Sequence, residues 1–363
     1  MKSVLRSNEQ LFDAYSKNLN FFRSTHLRTR GDLPEIMYMC PLCLRLFDKD
    51  CLYTLDDNKR LTRDHVPPDS VGWETVILTC KICNNNAGGL IEKPLLDYTT
   101  SFPFRKREEG ATVSIKARIS DGENVVGGPA TITRIQNNAI NVNFHFEKGY
   151  KRLEILERLG PNYKIDISGS FPSRRLVNIA LLKTAYLLAF IKFGYGFVVN
   201  GLHDRIRRQI QNPKQNVLDN TGVMNQTNED FPYEPGIYFI PHRVSITGFL
   251  VVFNAGKEKH AVLLPPPGLN DFQFYSRIDR LKEIKISGFF KYRDDNYITD
   301  FSKCIDPVII FLRTGYTPPD NMLLQYHRTM HDLMVVRKGL ITVPDGVSKE
   351  LGRITGMTLG DAS

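Results

Sequence analysis

Two Cys-x-x-Cys pairs, Cys40/Cys43 and Cys80/Cys83, constrain this chain more than any other feature of its sequence. Residues 44–79 separate the pairs, and two knuckles at such a spacing supply four thiolates for one tetrahedral zinc ion. A zinc ion of that kind is structural, because four sulfurs fill its coordination sphere and leave no position for an activated water. Cys51 and Cys304 stand alone, so the cysteine pattern reads as metal binding in a reducing compartment rather than as a disulfide framework. The leading stretch MKSVLRSNEQLFDAYSKN lacks the apolar run of a secretory signal, and a cytoplasmic location is expected.

A chain of 363 residues, 42% of them hydrophobic, has material for about two globular domains and is far too apolar to be disordered. The expected fold class is α+β, divided into a helical lead-in over 1–36, a cysteine-bearing module over 37–105 and a larger α+β domain over 106–363. In the last part, ATVSIKARIS, ATITRI and AINVNFHFE alternate polar and apolar residues between turn signals, the pattern of an antiparallel meander. SRRLVNIALLKTAYLLAFIKFGYG predicts a helix capped by Ser173 and ended by Gly194. LHDRIRRQIQN predicts another, ending before Pro213, and GIYFIPHR, ITGFLVVFNAG and HAVLLPPP read as strands. The apolar run from Ile179 to Val199 contains Lys183 and Lys192, which fall on opposite sides of a helix. A membrane span would have to bury at least one of them, so a core helix and no membrane are expected.

Between the knuckles sits Asp64-His65, followed by Val66-Pro67-Pro68, and Asn84 follows the last cysteine directly. With Cys40, Cys43, Cys80, Cys83 and Gly88, this run resembles the HNH, or His-Me finger, nucleases. The likeness is to the zinc-bearing form found in phage junction-resolving endonucleases and many bacterial HNH proteins. The resemblance spans Cys40 to Gly89 and implies a ββα-metal module, with Asp64-His65 on a hairpin and Cys80 to Asn84 opening a helix. It further implies that Asp64 and Asn84 ligate a catalytic Mg2+ or Mn2+ and that His65 is the general base.

The chemistry suits those residue types. Imidazole titrates near neutrality and can take a proton from an attacking water. Phosphodiester cleavage develops negative charge that a hard cation on oxygen ligands neutralises. One position departs from the family pattern: Thr75 stands where an asparagine usually orients the loop that aims the histidine, and a hydroxyl cannot both donate and accept as an amide does.

The formal net charge of +9 points to a polyanionic partner, and nucleic acid, DNA ahead of RNA, is the expected one. Arg63, Lys81, Lys93 and the cluster Arg105-Lys106-Arg107 are the expected phosphate contacts. The sequence thus predicts a metal-dependent endonuclease of a restriction or antiviral-defence type. The alternative is a zinc-stabilised nucleic-acid-binding protein whose HNH module does not cut. Residues 106–363 carry no second catalytic set. Recognition, regulation by a protein partner or small-molecule trigger, and scaffolding all stay open for them. His145, His203, His242 and His260 read as packed or surface histidines, and the helix with Asp204, Arg205, Arg207 and Arg208 as either a core helix or a phosphate-tracking one.

Overall fold

The computed structural model describes residues 7–26, 28–29, 36–72, 75–121, 124–136, 139–145, 158, 164–168, 172–198, 203–224, 233–240, 248–265, 271–280, 290–291 and 341–342. The chain begins with helix α1 (Asn8–His26), whose Leu11, Phe12, Tyr15 and Leu19 form one apolar stripe at helical spacing and are buried. A two-residue strand β1 (Arg28–Thr29) follows, and then β2 (Tyr38–Met39) pairs antiparallel with β3 (Leu46–Phe47). β4 (Leu61–Val66) and β5 (Thr75–Cys80) form a separate antiparallel hairpin, with Asp64 opposite Ile77 and Leu61 opposite Cys80. Helix α2 (Lys81–Ala87) starts where β5 stops, runs through a π-helical turn over Gly88–Glu92 and continues as α3 (Lys93–Thr100) and α4 (Phe102–Arg105).

The predicted meander is present as β6 (Thr112–Ser120), β7 (Val125–Arg134) and β8 (Ile140–Phe144), with β9 (Lys164–Ser168) added on the other side in the order β8-β7-β6-β9. Alternation turns Ile115, Ala117, Ala130 and Ile132 to one face, where Phe104 from α4 packs on them as a small core of their own.

Helix α5 (Arg174–Phe193) has Ser173 at its N-cap position and Gly194 at its C-cap, as the sequence predicts. Gly194 takes φ +67 and its amide donates to Phe190 O at 2.7 Å. A Cβ there would run into the carboxamide of Asn18, whose Oδ1 accepts a hydrogen bond from Tyr195 N at 2.9 Å. Glycine is therefore required both by the left-handed turn and by the close approach of α1.

The short α6 (Tyr195–Val198) and α7 (Asp204–Gln211) follow. In α7, Arg207 is buried and donates to Tyr186 Oη, to Val198 O and to Asp204, so that face of the helix anchors the core. β10 (Gly236–Ile240), β11 (Gly248–Ala255) and β12 (Glu258–Leu264) make a second antiparallel sheet, edged by β13 (Phe290–Lys291) and followed in sequence after β12 by α8 (Asp271–Arg280). A two-residue strand β14 (Ile341–Thr342) pairs with β1. The protein is thus α+β, with four cysteines gathered near its N-terminus.

α5 is long and apolar enough to cross a membrane, yet most of its surface is buried inside the protein. It is the centre of one continuous core. Residues of α1, the cysteine segment, the β4–β5 hairpin, α5, β11, β12 and α8 belong to the same buried cluster. Tyr195 Oη donates to Met39 O at 2.6 Å, and Tyr186 Oη donates to Pro41 O at 3.4 Å. Packing therefore crosses the boundary expected between residues 105 and 106.

Candidate metal centre

Each half of the cysteine cluster is set by a local backbone device. Cys40 leaves β2 in a tight turn in which Leu44 N donates to Cys40 O at 2.8 Å and Cys40 N to Arg45 O at 2.9 Å; Leu44 adopts φ 59 to close it. Cys80 is both the last residue of β5 and the N-cap of α2, and Cys83 lies in that helix's first turn. The pairing of Leu61 with Cys80 brings the second knuckle beside the first. Cys80 N donates to Cys40 Sγ at 3.4 Å, and Cys43 Sγ lies 3.7 Å from Cys80 Sγ.

All four sulfurs fall within 4.8 Å of one another. Tetrahedral zinc with Zn–S bonds of about 2.3 Å needs sulfurs roughly 3.8 Å apart, so the cluster fits such an ion. Burial, reinforced by the neighbouring thiols, pushes the Cys40 thiol well above its ordinary value, whereas hydrogen bonds from Cys40 and the other two thiols hold Cys80 low. Four sulfurs packed this closely cannot all carry charge without a cation among them. Such a cluster could hold a metal ion on its thiolates.

The β4–β5 hairpin carries the other predicted residues. Its register puts Thr62, Asp64, Thr79 and Ile77 on one face, with Arg63 and His65 on the other. Asp64 is 2% exposed. Thr79 Oγ1 donates to its Oδ2 at 3.2 Å, and Lys183 Nζ from α5 donates to its Oδ1 at 2.9 Å. The same ammonium donates to Glu92 Oε1 at 2.5 Å. Burial by itself would push the Lys183 ammonium towards losing its proton; Asp64 and then Glu92 outweigh that and hold its pKa above the ordinary lysine value.

Asn84, on α2, turns its amide nitrogen to the same strand, donating to Arg63 O at 2.8 Å and Thr62 Oγ1 at 3.1 Å. Asp64 and Asn84 therefore meet one polar neighbourhood built on the Thr62/Thr79 pair. These two oxygen donors suit a hard divalent cation in kind, and two carboxylates around one ammonium leave the group with a net negative charge.

His65 is half-buried opposite Val76, one residue from the end of β4, and Thr75 opens β5 opposite Val66. Four of the expected phosphate contacts hold partners within the protein. Arg63 Nε donates to Asn8 Oδ1 at 2.6 Å, Lys81 pairs with Asp57 at 2.6 Å and Lys93 with Asp97 at 2.6 Å. Arg105 pairs with Glu258 at 2.6 Å and stacks on Tyr98. Lys106 and Arg107 are exposed. His242 lies outside the described residues, His145 shares a hydrogen bond with Thr131 and His203 packs among aromatic rings.

The sequence assigns Lys183 no role beyond barring a membrane span, and Glu92 none. The available signal was a lysine amid the buried positions of an apolar helix, which demands a carboxylate partner.

His260 gives a testable consequence away from the cluster. It is buried, its Nε2 has no hydrogen-bond partner among the described residues, and burial, with Arg174 and Arg105 nearby, lowers its pKa to about 4. The folded-state value lies below the unfolded one, near 6.5, so between those limits the unfolded chain binds a proton that the native protein refuses. The neutral histidine's contribution is full above pH 6.5 and is lost as the pH falls towards 4. Replacing it in His260→Leu is expected to flatten the fall in stability across that window, as measured by urea denaturation at saturating zinc. An unchanged pH slope would refute the assignment.

Comparison of the chain with protein-family models, with curated proteins and with solved structures gives no match. The fold and site define an α+β protein with a four-cysteine cluster suited to zinc and a buried Asp64–Lys183 pair that the half-buried Glu92 joins.

Proposed function

We propose that this protein is a metal-dependent endonuclease of the HNH type that hydrolyses phosphodiester bonds of nucleic acid, DNA ahead of RNA. The observation that supports the reading is that Asp64 and Asn84 bond the two members of the cross-strand Thr62/Thr79 pair of the β4–β5 hairpin, at whose end the four cysteines gather. Zinc at Cys40, Cys43, Cys80 and Cys83 fixes where the hairpin meets α2 and takes no part in the reaction. Asp64 and Asn84 would hold Mg2+ or Mn2+, which when bound supplies charge neutralisation at the phosphate. An imidazole nitrogen of His65 accepts a proton from water, the water oxygen bonds to phosphorus, and the bond from phosphorus to the leaving oxygen breaks, that oxygen taking a proton from solvent. Lys106 and Arg107 are exposed for phosphate contact. Residues 106–363 would serve target recognition or gate the nuclease through a protein or small-molecule trigger.

A second reading, a zinc-stabilised nucleic-acid-binding protein that does not cut, is favoured by two features. Asp64 already has an ammonium partner, and strand alternation sets His65 on the other face of the hairpin. Incubation of full-length protein with supercoiled plasmid, single-stranded DNA and RNA in Mg2+ or Mn2+ separates the two. The nuclease is expected to nick or linearise at least one substrate. Retention of nucleic acid in a gel shift with no cleavage in either metal would favour the second reading.

A further inference from the structure

The buried group formed by Lys183, Asp64 and Glu92 is assembled from three distant parts of the chain. Asp64 comes from the middle of β4, Glu92 ends the π-helical turn after α2, and Lys183 comes from the middle of the core helix α5. One nitrogen, Lys183 Nζ, lies 2.9 Å from Asp64 Oδ1 and 2.5 Å from Glu92 Oε1. The side chain of Lys183 is 3% exposed and that of Asp64 2%, so water screens this pair little, while Glu92, at 19%, keeps some contact with solvent. A single positive charge held on two carboxylate oxygens is the arrangement that those carboxylates would offer a metal ion.

We infer that Lys183 is the resident counter-cation of this site, that Glu92 belongs to the site with Asp64, and that a divalent ion and the Lys183 ammonium compete for the same carboxylates. The inference rests on the part of the proposed function that makes Asp64 a ligand of a divalent ion, not on cleavage itself. Three observations converge on it. The two carboxylates have no nearer source of positive charge among the described residues than Lys183. One ammonium faces two carboxylates, so its single formal charge is outnumbered. The third observation is mechanical. Lys183 is fixed to α5, whose neighbours Ile179, Leu182 and Tyr186 are fully buried, so the ammonium leaves Asp64 only if the helix or the lysine's rotamer moves. A residue of the larger part of the chain thereby sets metal affinity in the cysteine-bearing part. The site is incomplete over 37–105 alone.

The test measures Mn2+ binding to zinc-loaded full-length protein by electron paramagnetic resonance, with melting temperature as a second readout. Lys183→Met is expected to tighten Mn2+ binding by about tenfold or more, the scale on which groups around metal ligands act. It should also make the melting temperature depend on Mn2+ more steeply than in wild type. The gain should vanish in Asp64→Asn/Lys183→Met. A folded Lys183→Met protein that binds Mn2+ no tighter than wild type overturns the inference.

If Lys183→Met does not fold, Glu92→Gln decides. It removes one of the two claimed carboxylates while leaving Lys183 paired with Asp64, and should weaken Asp64-dependent Mn2+ binding about tenfold. Unchanged affinity overturns the assignment of Glu92. Tighter Mn2+ binding by Lys183→Met with no cleavage by any variant would sink the nuclease reading and leave the cation site standing. Cleavage by wild type with unaltered metal binding in Lys183→Met would do the reverse.

Discussion

Cys80→Ser is expected to abolish the cooperative folding of the whole described core. Structural zinc on thiolates contributes on the order of 10 kcal/mol to small domains, against a total stability of roughly 5–15 kcal/mol for typical proteins. Cys80 concentrates that dependence, because it ends β5, caps α2 and lies buried against the first knuckle. A serine there leaves three thiolates and exchanges a soft ligand for a poor one. The damage should not stop at the cysteine segment, because Cys40, Cys80 and Cys83 share one buried cluster with Leu181, Tyr186 and Phe190 of α5 and Phe249 of β11. The expected result is loss of bound zinc by metal analysis, together with loss of a sharp thermal transition by circular dichroism. A protease-resistant fragment covering 106–363 in the variant would show that the larger part folds independently. A wild-type melting temperature without zinc would overturn the staple itself.

His65→Ala should lower the cleavage rate by about 10²–10⁴ while leaving affinity for nucleic acid close to that of wild type. The proposed role of His65 is to take a proton from water, not to touch phosphate, so its removal costs the chemical step and spares binding. Asn84→Ala should also stop cleavage, by a different route. Its carboxamide ties α2 to the Arg63 carbonyl and is proposed to hold the divalent ion, so higher Mn2+ should restore part of the activity. No Mn2+ concentration should restore His65→Ala. Cleavage at the wild-type rate by purified His65→Ala, with contaminating nuclease excluded by a mock preparation, would remove His65 from the mechanism. Loss of affinity in parallel with rate would instead make it a binding residue.

The strands and helices were legible where local chemistry decides them. Alternation in ATVSIKARIS and ATITRI marks β6 and β7, and Ser173 and Gly194 mark the ends of α5. The four cysteines were legible as a metal cluster because zinc imposes spacing on its ligands. The basic residues were the least legible. Lys81, Lys93 and Arg105 look alike as charges in the sequence, yet each has its own acidic partner, one of them, Glu258, lying far along the chain. A sequence shows charge, and only the folded chain shows which carboxylates lie beside it.

What the sequence determined by itself was therefore the cluster of Cys40, Cys43, Cys80 and Cys83 and the order of most regular elements, while Asp64, His65 and Asn84 came forward only through a family resemblance. Periodicity, caps and ligand spacing act over a few residues or through one shared ion, and such rules can be read along a line. Only the tertiary structure decided that α5 runs through a core shared with the cysteine segment, and that Lys183 reaches Asp64 and Glu92 across 119 and 91 positions of sequence. The physical reason is that a buried ammonium must find carboxylates wherever packing brings them. Its partner is fixed by the three-dimensional course of the chain and leaves no pattern near Lys183 itself.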